Sequence, residues 1–214
     1  MGSTMKRAAL IVAASLLAGC SSSEVEVKWP EREAPLEVPQ VVEPSPPPLD
    51  GKAGKQYTPT REGVPTVDGL QRGRSTVIVN APIAEVRKTV LDFKHYPDFM
   101  PHYRAAMVLG RKPNGDREVY MQVAALGGAL KMWAKVEMVK TDLADGERWE
   151  STFIEGNVRE FKAIWTLKPM DNRTELTLEV FLRPKLPIPN SLLDGENMDG
   201  AVKGVTAVRD RIEG

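Results

Sequence analysis

The chain has 214 residues, 42% of them hydrophobic, enough for one good-sized domain with a real core plus a tail. Lysine plus arginine number 29 and aspartate plus glutamate also 29, so no net field draws the protein onto nucleic acid, which argues against such a partner. A single cysteine, Cys20, leaves no disulfide and no thiol nucleophile for the residues that follow it.

The first segment, MKRAALIVAASLLAGCSSSE, places Lys6 and Arg7 before an apolar run over 8–18 and then small residues. That pattern predicts a secretory signal peptide over 1–19, too short to span a bilayer as a mature helix. Leu17-Ala18-Gly19-Cys20 resembles the lipobox of bacterial lipoproteins, in which small residues fit the peptidase and the cysteine carries the lipid. The alternative is an ordinary secreted protein with a chance cysteine. Acyl chains on Cys20 would hold the protein at a membrane, and Ser21 after the cysteine points to the outer membrane, with the domain facing the periplasm.

From 20 to 71 there is almost no period of 2 or 3.6, and prolines cluster at Pro30, Pro35, Pro39, Pro44 and Pro46 to Pro48. Glu24, Glu26, Glu31, Glu33, Glu37 and Glu43 outnumber the cations, so this segment is expected to be a disordered stalk that cannot bury a core. Within it, EPSPPPLD could also serve as an epitope for a partner with an aromatic groove.

The domain is expected over 72–214. A strand is predicted at 75–80, then a helix that starts at Pro82 and repeats Ile83, Val86, Val90 and Leu91 at helical spacing. Six further strands follow at about 103–111, 117–125, 130–141, 148–155, 158–168 and 174–183, separated by Asn114-Gly115, Gly127-Gly128, Asp145-Gly146, Gly156-Asn157 and Asp171-Asn172. A last helix over 191–213 carries a stripe of Met198, Ala201, Val202, Val205, Val208 and Ile212. The fold class is therefore α+β: a curved seven-stranded antiparallel sheet wrapped around a long C-terminal helix, with two short N-terminal helices.

Alternation assigns the inner face of that sheet. Val119, Met121, Val123 and Ala125 share a face, as do Met132, Ala134, Val136 and Met138, then Trp149, Ser151 and Phe153. The last two strands give Phe161, Ala163, Trp165 and Leu167, then Leu176, Leu178, Val180 and Leu182. This interior is nearly free of ionisable groups and rich in alanine and methionine, which suits either an adaptable apolar cavity or a filled core. Opposite strand residues, among them Lys135, Glu137, Glu150, Lys162 and Glu179, read as a solvated face.

Three further features carry paired readings. The apolar hairpin AALGGALKMW is a lid or membrane wedge, or is covered by neighbouring loops. Gly200 and Gly204 lower helix propensity, which a close approach to sheet or ligand would explain, or surface indifference. LRPKLPIPNSLL reads as an ordered hinge before the last helix, or as a gate for ligand entry.

The stretch DFKHYPDFMPHY holds both histidines, His95 and His102, beside Asp92 and Asp98. No metal-ligand spacing appears there, so neither a metal nor a cofactor is expected, and no catalytic residue is assigned. No Gly-rich phosphate loop, Gly-x-Ser-x-Gly elbow or diagnostic carboxylate pair occurs elsewhere.

Ala81-Pro82 followed by Asp92, Tyr96, Pro97, Phe99 and Pro101 resembles the opening of the START-like (SRPBCC) superfamily, in particular its polyketide cyclase/dehydrase and coenzyme Q-binding branch. The resemblance implies a helix-grip fold, an architectural role for the Tyr-Pro-x-Phe-x-Pro turn, and a hydrophobic cavity that binds a lipid, a quinone or a similar small molecule. Its expected lining is Tyr103, Met121, Val123, Met132, Ala134, Val136, Trp149, Ser151, Phe153, Phe161, Trp165, Leu178, Val180, Val202 and Val205. The leading expectation is a lipid-anchored, non-catalytic carrier. Its rivals are an aromatase/cyclase-like or hydrolytic enzyme using Tyr103 or Ser151, and an envelope module that recruits a protein partner.

Overall fold

The structure is a computed structural model that describes residues 57–67 and 69–214. The signal segment, Cys20 and the expected stalk up to residue 56 lie outside the described residues.

The described chain forms strand β1 (Glu62–Pro65), β2 (Gln71–Val79), helix α1 (Ile83–Val90), a short 3-10 turn (Phe93–His95), and α2 (Tyr96–Phe99). Then come β3 (Tyr103–Arg111), β4 (Arg117–Ala125), β5 (Leu130–Leu143), β6 (Gly146–Gly156), β7 (Val158–Met170), β8 (Arg173–Pro184) and α3 (Asn190–Glu213). All strand pairs are antiparallel, and the sheet order is β1-β2-β8-β7-β6-β5-β4-β3. The sheet grips α3, as the α+β expectation requires.

The sheet has eight strands where sequence periodicity yields seven. The addition is β1, in the segment assigned to the stalk. Three of its four residues are exposed, so it contributes main-chain pairing to β2 and leaves no alternation to read. Just before it, Arg209 Nη1 donates to the Tyr57 carbonyl at 3.1 Å, fastening the start of the described chain to the last turns of α3.

The opening motif is scaffold. Tyr96 is 1% exposed, its hydroxyl donates to the Val90 carbonyl, and its ring meets Phe93, Phe99 and Tyr103 at centroid distances of 4.9 to 5.6 Å. Burial drives its pKa well above the usual phenol value. His95 Nδ1 sits 2.8 Å from Asp92, a half-buried pair across the 3-10 turn.

Helix α3 seats its middle on β2. A Cβ on Gly73 would lie 2.0 Å from the Asn197 carbonyl oxygen, so only glycine permits this approach. Asn197, 3% exposed, donates through Nδ2 to the Gln71 carbonyl at 3.0 Å and accepts from the Leu182 N–H at 3.0 Å. The Gln71 N–H goes to Asp194 Oδ1 at 2.7 Å. Backbone register between β2 and β8 begins at Gly73 and Val180, so side chains of α3 satisfy the strand groups beyond that point. A comparable substitution occurs between β6 and β7, whose register stops at Glu150 and Ile164, where the Ser151 hydroxyl accepts from the Ala163 N–H at 2.6 Å. Side-chain hydrogen bonds thus stand in for backbone pairing at both seams.

Asn197→Ala removes the partners of two backbone groups at once. The expected loss is about 2–4 kcal/mol of unfolding free energy, read from urea denaturation.

Candidate functional site

The space inside the sheet divides into a filled half and an open half. Val79, Val136, Leu167, Leu176, Val205 and Val208 have no exposed surface and belong to one core. Towards the first half of α3 the packing opens into a cavity of about 110 Å³. Phe161, Ala163 and Trp165 of β7 and Leu178, Val180 and Leu182 of β8 form one wall, and Tyr103 and Val123 another. Met100 to His102, Ala124, Ala125, Glu196, Asn197, Gly200 and Gly204 complete the boundary.

Of the residues expected to line the cavity, Tyr103, Val123, Phe161, Trp165, Leu178 and Val180 do so. Met121, Met132 and Ala134 face a neighbouring crevice of about 10 Å³ that shares Val123, Phe161 and Leu182 with the cavity. Val136, Trp149, Ser151 and Val205 are buried in packed structure instead, and Phe153 packs against it. Val202 lines a separate groove with Phe99, Pro101 and Lys203. Alternation identifies the inner face but not the depth along a strand, and for Val202 and Val205 the position around α3 decides what the side chain meets.

The glycines of α3 have different roles. A Cβ on Gly204 would come within 2.4 Å of Leu178 Cδ2, so this glycine lets helix and sheet touch. At Gly200 the nearest atom, Val180 Cγ1, would be 4.0 Å away, so this glycine leaves space. The hairpin contributes too: Ala124 and Ala125 border the cavity, while Gly127, Gly128 and Ala129 at the tip are exposed.

Four lining residues carry polar side chains: His102, Tyr103, Glu196 and Asn197. Asn197 is already engaged by Gln71 and Leu182. His102 adopts a positive φ of 73°, and its carbonyl accepts from the Ala124 N–H at 2.8 Å. Burial lowers the His102 pKa, the Lys203 and Arg104 charges lower it further, and Glu196 opposes them. Tyr103 is enclosed by protein yet keeps partial accessibility, and it lines the cavity; its desolvated phenol is pushed up to about 12. The Tyr103 hydroxyl faces the Met121 thioether at 3.7 Å. No lysine or arginine belongs to the lining. Sequence reasoning did not select His102, Glu196 or Asn197 for the cavity, since their helix and turn positions carry no signal of what they face.

Comparison with known proteins places the chain. Residues 79–202, more than half of it, match the family described as "Polyketide cyclase / dehydrase and lipid transport". The chain belongs to that family. Against curated sequences it finds no match. Among solved structures, human StAR-related lipid transfer protein 5 is 12% identical, with 72% of this chain and 85% of that one covered at a TM-score of 0.61. A STAR-related lipid transfer protein from Xanthomonas axonopodis is 18% identical, covering 68% and 87% at 0.57. The Zhui aromatase/cyclase from a Streptomyces species is also 18% identical, covering 67% and 94% at 0.51. At these identities the likeness is one of fold, the START-like helix grip.

NMR titration of His102 should show a midpoint below the ordinary histidine value of 6.5, with Lys203→Gln raising it and Glu196→Gln lowering it. The unfolded chain binds this proton more readily, so the stability linked to His102 is full above 6.5 and lost as pH falls through the lowered value.

Proposed function

We propose that this family member binds a hydrophobic small molecule, a lipid or similar compound, in the cavity beneath α3 and carries it without chemistry. The carrying observation is the cavity itself: an apolar space between sheet and helix whose polar lining is limited to His102, Tyr103, Glu196 and Asn197. A cavity of about 150 Å³ holds a benzene ring, so the 110 Å³ seen here takes a short chain or part of a larger ligand. Met121 and Met132, beside the connected crevice, are unbranched and adaptable, and their repacking would extend the space for a longer guest.

The lipobox at Cys20 and the proline-rich segment after it support a further step. The protein would be anchored by lipid in a bacterial envelope, at the outer membrane facing the periplasm, with the domain working at a distance from its anchor. Among the described residues no helix is long and apolar enough to cross a membrane.

One observation favours an enzyme in the same space: His102, Tyr103 and Glu196 all border it. Ser151, the other expected catalytic hydroxyl, is engaged by the Ala163 N–H and does not line the cavity. If the carrier reading holds, ligand extracted after prolonged incubation is chemically unchanged; conversion that disappears in His102→Ala would move the assignment to catalysis.

Full-length protein purified gently from the envelope should carry a stoichiometric hydrophobic molecule, detected by native mass spectrometry and identified after organic extraction. Gly200→Leu, which projects a side chain into the open space, should abolish that mass increment while leaving the melting temperature within a few degrees of the parent. An unliganded mass that stays unchanged after challenge with envelope lipid extract would overturn the binding reading. Cys20→Ser should release the protein from the membrane fraction into the soluble one, and retention would reject the anchor.

A further inference from the structure

Tyr103 brings an unusual combination to the cavity wall. Its hydroxyl is removed from bulk water, and the hydrogen bond found for it runs 3.7 Å to a thioether, a weak acceptor. A buried donor without a good acceptor carries a penalty that a bound oxygen could relieve. The phenol stays protonated across physiological pH, since desolvation pushes its pKa to about 12. Tyr103 thus brings a protonated, weakly engaged donor to the lining of a space whose other walls are largely hydrocarbon.

The rest of the lining constrains the charge of a guest. Neither lysine nor arginine borders the cavity, and Asn197 spends both ends of its amide on backbone groups. Glu196 adds a carboxylate to the lining. His102 is biased towards its neutral form by burial and by Lys203, so it provides no lasting cation. An ionised carboxylate entering here would lose its hydration and gain no positive partner. An uncharged ligand with one accepting oxygen meets a complementary site.

We propose that the cavity selects uncharged apolar molecules bearing a ketone or ester carbonyl, which accepts a hydrogen bond from the Tyr103 hydroxyl, and discriminates against free fatty-acid carboxylates. This rests on the cavity being the ligand site and assigns its polar specificity.

The test uses three probes of similar size, hexane, methyl pentanoate and hexanoic acid, titrated at pH 8 into the full chain while amide NMR shifts around Ala124 and Val180 are followed. Methyl pentanoate should bind about fivefold more tightly than hexane, as expected for one neutral hydrogen bond, and hexanoate more weakly than either. In Tyr103→Phe, which keeps the ring and removes only the hydroxyl, the ester should fall to the affinity of hexane while hexane itself is unchanged. The carbonyl stretch of bound ester should lie below that of free ester in hydrocarbon, and this displacement should vanish in the variant. Equal affinity for ester and hexane in the parent would overturn the carbonyl assignment while leaving the cavity reading intact. Hexanoate binding as tightly as the ester would do the same. If none of the probes moves the cavity amides, the binding reading falls and this inference with it.

Discussion

The contact between Gly73 and the backbone of Asn197 is the constraint on which the rest of the domain depends. It brings a helix main chain onto a strand at a distance no side chain would allow, and thereby fixes the height of α3 above the sheet. Once there, Asn197 and Asp194 take over the peptide groups of Gln71 and Leu182 that a neighbouring strand would otherwise satisfy. The helix is thus hydrogen-bonded into the sheet as well as packed on it. Buried polar groups of this kind specify one arrangement, because any slide of α3 along β2 strands several of them together.

A helix held at one height meets a curved sheet unevenly. Where Gly204 touches Leu178 the layers are in contact, and beyond it Val205 and Val208 complete a solid core. One turn earlier, at Gly200, the same helix stands clear of Val180. Strand seams that end at Gly73/Val180 and at Glu150/Ile164 accompany this divergence, each finished by a side-chain hydrogen bond. The cavity therefore follows from how the backbone is spaced, and hydrophobic side chains line it because they face inward on strands that also build the core.

Much of this was legible in the sequence. Strands β3 and β4 run over the residues expected of them because turn signals bound both, although only β4 buries an alternating pair, Val119 and Met121, while β3 leaves Met107 and Leu109 half exposed. The glycine pair of α3 announced that something approaches the helix, but only coordinates distinguish the glycine that makes contact from the one that leaves room. β1 was illegible because its pairing uses the main chain and its side chains stay in water. Val136, Trp149 and Ser151 sit on the inner face as expected, yet depth along a strand depends on where α3 rests, and no local pattern encodes that. Val202 lies on the flank of its helix because the buried stripe passes through Ala201, Gly204 and Val205 instead.

The bond from Arg209 to the Tyr57 carbonyl has a mechanical consequence. The described chain joins the domain beside the last turns of α3, whereas Glu196, Asn197 and Gly200 line the cavity from its first half. Twelve residues of helix separate Arg209 from Asn197, on the order of 18 Å. A load applied at Tyr57 would be met first by this bond at the well-packed end of α3. The first half of α3 has its own tie to that segment, the Arg61–Asp199 ion pair at 2.9 Å, so the two ends of the helix are fastened separately.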